Sequence, residues 1–187
     1  MNDKIVWITG ASSGIGEATA LRFAKEGWKV AVSARRVELL NKLAENENVY
    51  SYPLDITDTI KIKEVFESII KDLGKIDLCI FSSGTYERKS EKEISVENIK
   101  QVIDVNFLGV FNSVSSVEKY FKENKSGHIA IVSSPVGYRG LPKSSGYTPS
   151  KAALNNFTQG IYFDFQKFNV RISLITPGFI KTALTDL

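Results

Sequence analysis

Short apolar runs alternate with helical patterns along the whole chain of 187 residues. A repeated succession of strand, helix and strand requires crossover connections, which place the strands in a parallel sheet with helices on both faces. The predicted strands lie near 4–9, 28–33, 48–53, 76–82, 127–133 and 169–175, and the predicted helices near 14–26, 36–46, 58–72, 96–123 and 147–167. With 43% hydrophobic residues and no linker or repeat, the pattern predicts one domain over residues 1–187, an α/β doubly wound parallel sheet in three layers.

Composition argues against several classes of protein. The net charge of +3 comes from 24 basic and 21 acidic residues spread along the chain, so we expect no nucleic-acid partner. One histidine, His128, and one cysteine, Cys79, cannot form a His/Cys metal site, and we expect no metal. No run approaches the ~20 apolar residues of a membrane span, and the first ten residues lack a signal-peptide pattern. We therefore expect no membrane association and a cytoplasmic protein.

The first strand runs directly into a glycine-rich turn that precedes a helical pattern. A turn without side chains lets backbone N–H groups approach a pyrophosphate at a helix N-terminus. Gly10 would make the tight turn, Gly14 would admit the phosphates, and Gly16 would let the helix pack on the strand. A glycine loop that merely closes a strand is the structural alternative. The residues of the predicted dinucleotide turn are Gly10, Ser12, Ser13, Gly14, Ile15 and Gly16.

The same turn contains a second motif, because Gly10-Ala11-Ser12-Ser13-Gly14 matches the nucleophile elbow of serine hydrolases. An elbow needs an earlier loop for the oxyanion hole, and only nine residues precede Gly10. It also needs a base, for which His128 is the candidate. Serine hydrolysis is therefore a remote alternative to dinucleotide binding.

The residues after the second and third strands bear on which dinucleotide binds. Arg35 and Arg36 stand where an acidic residue would hold a ribose 2′-hydroxyl, and paired guanidiniums fit a 2′-phosphate instead. The sequence therefore favours NADP(H) over NAD(H), the alternative being that both arginines only open a solvated helix. Asp55 is placed to accept from the adenine amino group, while Thr57 or Asp58 caps the next helix.

A tyrosine, a lysine and a serine form the candidate catalytic group. Tyr147 and Lys151 are four residues apart, so they share one face of a helix. A nearby cation favours phenolate and lowers the high pKa of tyrosine, which suits the phenol to proton transfer. Ser134, at the end of a predicted strand, would donate to a substrate oxygen. Pro149 is tolerated only in a first helical turn, so the helix should begin near Gly146.

Asn106 falls inside an apolar helical stripe, where a buried amide must find partners. It is either a structural brace or part of a site, and the helix alone favours the brace.

With Thr9-Gly10-x-x-x-Gly14-x-Gly16, Asn106, Ser134 and Tyr147-x-x-x-Lys151 in order on alternating strands and helices, the chain resembles the classical short-chain dehydrogenase/reductase family, which has a Rossmann-type fold. The resemblance implies that Tyr147 is the acid/base and that Lys151 lowers its pKa and holds the nicotinamide ribose. It also implies that Ser134 orients the substrate and that Asn106 is a fourth member supporting a proton-relay water.

The resemblance has further implications for the cofactor end and for assembly. Pro177, Gly178 and Thr182 would contact the nicotinamide, Arg35 would mark an NADP-preferring member, and homodimers or homotetramers would form through the helices near 96–123 and 147–167. Where the family usually has Asn-Asn-Ala-Gly, this chain has Phe81-Ser82-Ser83-Gly84, which keeps Gly84 for the cofactor. Relatives usually continue through a substrate lid, a strand and a helix, so we expect the natural protein to extend past Leu187.

These inferences predict an NADPH-dependent reductase, or reversible alcohol dehydrogenase, acting on a small carbonyl or alcohol substrate. A nucleotide-binding sensor that holds NADP without turnover is the alternative from another class. The residues expected to form the pocket wall are Tyr86, Val136, Tyr138, Leu141 and Phe179.

Overall fold

The computed structural model describes residues 4–86, 95–142 and 144–180. Across these residues six strands form one sheet in which every neighbouring pair is parallel, in the order β3-β2-β1-β4-β5-β6. This order is that of the Rossmann-type doubly wound sheet, as predicted. The strands are β1 (Ile5–Thr9), β2 (Lys29–Ser33), β3 (Val49–Ser51), β4 (Leu78–Phe81), β5 (His128–Val132) and β6 (Arg171–Ile175).

The helices fall where the apolar periodicity predicts them, with one difference. The predicted helix near 96–123 is divided by a π-helical turn, Asp104–Leu108, which carries Asn106. Such turns interrupt α-helices where a side chain is held by partners outside the regular register, and they concentrate at functional sites. The helices are α1 (Gly14–Lys25), α2 (Val37–Leu43), α3 (Thr59–Leu73), α4 (Val96–Ile103), α5 (Gly109–Asn124) and α6 (Tyr147–Gln166).

Each central strand contributes to two cores because its side chains alternate between the faces of the sheet. In β1, Ile5 and Trp7 pack in one buried cluster and Val6 and Ile8 in the other. Helices α3, α5 and α6 cover the first cluster, whereas α1 and α2 cover the second. The result is the predicted three-layer α/β/α sandwich.

The crossovers from β1 and from β4 leave toward opposite faces, although these two strands are neighbours in the sheet. In an open α/β sheet this switch in direction leaves a crevice beyond the carboxyl ends of the strands. Gly10 follows β1 with φ +72°, and a Cβ there would lie 2.7 Å from Cα of Ser83 in the loop after β4. The crevice therefore begins where these two loops touch through backbone alone.

Helix α3 begins at a carboxylate cap, which gives a test of its stability. The Asp58 carboxylate accepts from the N–H of Ile60 at 3.1 Å and of Lys61 at 2.9 Å. Asp58→Ala should lower the free energy of unfolding by about 1 kcal/mol, because it removes the side-chain acceptor. Urea denaturation measures the change, and Asp58→Asn, which keeps an acceptor oxygen, should stay close to wild type. An alanine variant as stable as the asparagine variant would contradict the capping role.

Candidate active site

One cavity of about 630 Å³ lies at the carboxyl edge of the sheet. It brings together residues that are far apart in the sequence, from β1 to the segment after β6. Asn106 lies behind its wall, and Thr182 lies outside the described residues. The predicted site residues that line it are Gly10, Ser12, Ser13, Gly14, Ile15, Gly16, Arg35, Arg36, Asp55, Gly84, Ser134, Tyr147, Lys151, Pro177 and Gly178.

The glycine turn places the N-terminus of α1 at one end of the cavity. The helix begins at Gly14, and the preceding Ser13 has an extended backbone and does not cap the helix with its side chain. The first N–H groups of the helix therefore meet the cavity without a serine oxygen in front of them. A Cβ on Gly16 would lie 2.5 Å from the carbonyl oxygen of Gly10, so the helix packs against the turn at a distance only glycine permits. This cradle fits a pyrophosphate.

Arg36 lies over this turn. Its Nε and Nη2 donate to the Ser12 hydroxyl at 3.1 and 2.8 Å, and Nη2 also donates to the Ser13 hydroxyl at 2.6 Å. Arg35 is exposed and lines the same end of the cavity. Two guanidiniums thus face the end of the cavity that holds the turn, and one of them is fixed by two hydroxyls.

The nucleophile-elbow alternative is contradicted by this geometry. The Ser12 hydroxyl accepts from Arg36. His128, the only histidine in the chain, begins β5 and has Nε2 2.8 Å from the Ser173 hydroxyl. Strand β5 therefore separates this imidazole from the carboxyl edge by about 13 Å, at ~3.3 Å a residue. Ser12 has no histidine base within reach.

Asp55 lines the cavity and also shapes the loop before α3. Its Oδ1 accepts from the N–H of Thr57 at 3.0 Å and from the Thr57 hydroxyl at 2.8 Å. Of the two capping residues considered from the sequence, Asp58 caps α3 and Thr57 instead donates to Asp55.

Tyr147, Lys151 and Ser134 converge at the other end of the cavity. Helix α6 begins at Tyr147 with Gly146 at its N-cap, so Pro149 stands in the first turn as predicted. The Lys151 side chain is 4% exposed, and its Nζ donates to the carbonyl of Val132 at 3.2 Å. The Tyr147 hydroxyl forms a hydrogen bond with the Ser134 side chain.

The pKa of Tyr147 is shifted in the direction opposite to the sequence prediction. Burial raises the pKa of Tyr147, partly offset by the hydrogen bond with Ser134. The net shift is opposite to the lowering predicted from Lys151, because burial has the largest effect on the phenol and the Lys151 ammonium lies 5.7 Å from the ring centroid and donates to the Val132 carbonyl. Burial also lowers the pKa of Lys151 itself to about 8. At neutral pH the phenol is therefore protonated and the lysine largely cationic.

Asn106 is fully buried, and its amide is engaged by the protein. Its Oδ1 accepts from the N–H of Thr85 at 2.7 Å, while Nδ2 donates to the carbonyl of Thr85 at 2.9 Å and to the Ser150 hydroxyl at 3.1 Å. These contacts favour the brace over direct contact with a ligand. Thr85 and Ser150 were not singled out from the sequence, although one follows Gly84 and the other precedes Lys151.

The wall beside the phenol is apolar and aromatic. The rings of Tyr86 and Tyr147 meet edge to face with centroids 4.9 Å apart. Tyr138, predicted as part of this wall, directly follows the short turn Pro135–Gly137, is 64% exposed and does not line the cavity. The wall residues that do line the cavity are Tyr86, Val136, Leu141 and Phe179, with Ser144 as an additional polar member.

Ser82, which stands where the family usually has asparagine, and Pro135, which directly follows Ser134, have local structural roles. The Ser82 hydroxyl donates to the carbonyl of Thr9 at 2.5 Å, which ties the loop after β4 to the end of β1. Pro135 takes the first position of a 3-10 turn, with Ser134 as its N-cap, where a missing N–H is tolerated.

Among residues 4–86, 95–142 and 144–180, no group of three His, Cys, Asp or Glu side chains is placed to hold a metal ion. In the same part of the chain no helix is long and apolar enough to cross a membrane.

Comparison with known proteins agrees with the geometry. The family described as short chain dehydrogenase matches residues 4–187. The 3-oxoacyl-(acyl-carrier-protein) reductase FabG of Thermotoga maritima is 36% identical over 191 residues, which cover 100% of this chain and 78% of that protein.

Two solved structures extend the comparison. ElxO with NADP bound has a TM-score of 0.88 at 29% identity, covering 97% of this chain and 75% of that one. A variant of actinorhodin polyketide ketoreductase with NADPH has a TM-score of 0.91 at 25% identity, covering 97% and 72%. The chain therefore belongs to the short-chain dehydrogenase/reductase family and is an NAD(P)-dependent oxidoreductase.

Proposed function

We propose that the protein is an NADPH-dependent reductase, or reversible alcohol dehydrogenase, of small carbonyl compounds. The supporting observation is the convergence of Ser134, Tyr147 and Lys151 at one end of a cavity whose other end is the glycine turn. A nucleotide sensor needs the turn but has no use for a buried lysine beside a buried phenol.

The residues present fit a nicotinamide dinucleotide. The pyrophosphate would lie at the N-terminus of α1, and a 2′-phosphate would lie against Arg35, Arg36 and Ser12, since guanidiniums bind phosphate through paired charged donors. Lys151 and Tyr147 would hold the nicotinamide ribose, with Gly84, Pro177 and Gly178 along the ring, and Asp55 at the adenine. When bound, the cofactor supplies or accepts the hydride. ElxO and the ketoreductase, described with NADP and NADPH, support the choice of cofactor.

Tyr147 donates or accepts the proton that accompanies hydride transfer. In reduction, the hydroxyls of Ser134 and Tyr147 hold the substrate carbonyl oxygen, and Tyr147 donates its proton to that oxygen. The Lys151 ammonium stabilises the phenolate that remains, because opposite charges attract strongly in a site shielded from water. In oxidation the phenolate accepts the proton of the alcohol. Because burial raises the pKa of Tyr147, the protonated form dominates at neutral pH, which favours reduction, and oxidation should gain as pH rises.

The wall of the pocket indicates the class of substrate. Tyr86, Val136, Leu141 and Phe179 present mostly apolar surface beside the phenol. A ketone or aldehyde with an apolar body fits this wall best. The Thermotoga relative is named for a 3-oxoacyl group, so a 3-oxoacyl thioester belongs in the first substrate panel.

Assembly and location are also proposed. Four large apolar side chains are exposed, one at the end of the π-helical turn, one in the first turn of α5 and two on α6, and exposed apolar surface of this kind is typical of a face covered by another subunit. We propose that the protein forms a homodimer or homotetramer through this surface. We also propose a cytoplasmic location, because the single cysteine, Cys79, is free and buried, and proteins of oxidising compartments commonly contain disulfides. The exposed side chains are Leu108, Phe111, Tyr162 and Phe163.

Tyr147→Phe tests the acid/base role. Turnover of a ketone, followed by NADPH absorbance, should fall at least about 100-fold because the proton donor is removed. NADPH affinity, measured by fluorescence titration, should stay within about twofold. Tyr50→Phe, which removes the hydroxyl of an exposed tyrosine on β3 that does not line the cavity, should retain turnover. Undiminished turnover in Tyr147→Phe would contradict the mechanism. Wild-type protein that binds NADPH but reduces none of a broad carbonyl panel would favour the sensor.

The arginine pair sets the expected cofactor preference. Arg35→Ala and Arg36→Ala should each weaken NADPH binding by about 10-fold or more and NADH binding far less, since only NADPH carries the 2′-phosphate. The control is Lys42→Ala, an exposed cation in the last turn of α2 that does not line the cavity. Equal losses for both cofactors, or a wild-type preference for NADH, would overturn the NADP assignment.

Lys151→Met should abolish turnover and stabilise the ligand-free protein. Burial lowers the pKa of Lys151 from 10.5 to about 8, so the folded state holds its proton less tightly than the unfolded state. Below about pH 8 Lys151 is protonated in both the folded and the unfolded state, so the buried charge destabilises the folded state to its full extent. Between pH 8 and 10.5 the unfolded chain binds more protons than the folded one, so the free energy of unfolding rises with pH.

Removing the charge should therefore raise the free energy of unfolding at pH 7 by on the order of 1–3 kcal/mol. In urea denaturation, the free energy of unfolding of Lys151→Met should also rise less between pH 8 and 10.5 than that of the wild type. Lys167→Met, an exposed lysine after the same helix, should change neither quantity. A destabilised Lys151→Met would show that the ammonium is held mainly for structure.

A further inference from the structure

We propose that Ser150 is a positioning residue that fixes the first turn of α6, and with it Tyr147 and Lys151, to the cavity loop that carries Thr85. The inference rests on the proposed function for its effect on turnover, but the contacts themselves do not depend on it. Ser150 does not line the cavity, so any effect it has on the reaction must pass through other residues.

The hydroxyl of Ser150 makes two hydrogen bonds in a fully buried position. It accepts from Asn106 Nδ2 at 3.1 Å and donates to the carbonyl oxygen of Tyr147 at 2.6 Å. The directions are fixed, because an amide nitrogen only donates, a carbonyl only accepts, and a hydroxyl has one proton. Ser150 therefore links Asn106 to the backbone of the tyrosine itself.

Asn106 extends the link to the cavity wall. Its amide forms a pair of hydrogen bonds with the N–H and carbonyl of Thr85, at 2.7 and 2.9 Å. Thr85 lines the cavity directly after Gly84, where a Cβ would lie 3.5 Å from Asn106 Oδ1 and 3.9 Å from Lys151 Nζ. Three segments, the loop after β4, the π-helical turn and the start of α6, are thus joined through one amide and one hydroxyl.

Loss of the Ser150 hydroxyl breaks this link at its centre. The second amide hydrogen of Asn106 would be left buried without an acceptor, which favours a rotation of the amide away from Thr85. The carbonyl of Tyr147 would lose its side-chain donor in the first turn of α6. Displacements of about 1 Å at reacting groups are enough to lower a rate by roughly 100-fold.

Ser150→Ala is the main test. The kcat for ketone reduction should fall at least about tenfold while NADPH affinity stays within about threefold, because the residues proposed to hold the cofactor phosphates lie at the other end of the cavity and do not contact Ser150. In a double-mutant cycle, adding Asn106→Ala should cause little further loss, since both changes break one link. A kcat within twofold of wild type, or fully additive losses, would overturn the proposal.

Ser113→Ala is the matched control. Ser113 is also fully buried in a helix, and its hydroxyl donates to the carbonyl of Gly109 at 2.8 Å, away from the cavity. Its removal should leave kcat within twofold of wild type. If it lowers kcat as much as Ser150→Ala does, the effect is one of general packing and the proposal fails.

A second readout needs no turnover. Hydrogen exchange of the Thr85 amide, measured by NMR on the ligand-free protein, should be at least about tenfold faster in Ser150→Ala and unchanged in Ser113→Ala. Unchanged exchange in Ser150→Ala would overturn the link. If the wild type reduces no carbonyl, the proposed function fails while the exchange rates still decide the role of Ser150. Should Ser150→Ala not fold, Ser150→Cys, a weaker hydrogen-bonding group, is measured with the same outcomes.

Discussion

The active-site crevice depends on two backbone segments that touch without side chains between them. A Cβ on Gly10 would lie 2.7 Å from Cα of Ser83, and one on Gly16 would lie 2.5 Å from the carbonyl oxygen of Gly10. These approaches hold the end of β1, the start of α1 and the loop after β4 in one fixed relation. The cofactor cradle and the wall that contains Thr85 are both positioned from this contact, so the rest of the site is built outward from it.

The sequence predicts the scaffold well because each local signal agrees with the overall fold. Apolar periodicity locates the strands and helices, and Pro149 locates the start of α6, since proline is tolerated only in a first turn. The convergence of Ser134, Tyr147 and Lys151 on one cavity is likewise expected, because residues at the carboxyl ends of parallel strands and the helices that follow them meet at one edge of the sheet.

Other features depend on contacts between segments that spacing alone does not reveal. The partners of Asn106 require the loop after β4 and the start of α6 to meet, and these lie far apart in the chain. The pKa of Tyr147 is raised rather than lowered because burial outweighs a lysine whose ammonium is directed to the Val132 carbonyl. Four-residue spacing places two side chains on one face but does not say what surrounds them, so it leaves the balance of burial and charge open.

The π-helical turn Asp104–Leu108 is equivalent to one extra residue within a continuous helix. Successive helical residues are about 100° apart around the axis, so deleting one residue would rejoin α4 and α5 in regular register and swing Asn106 away from Thr85. The number of residues in this segment therefore matters more than their identity for keeping Asn106 in contact with Thr85. In an alignment of related sequences, a one-residue gap at this point would mark a lineage in which the loop after β4 and helix α6 are no longer tied together.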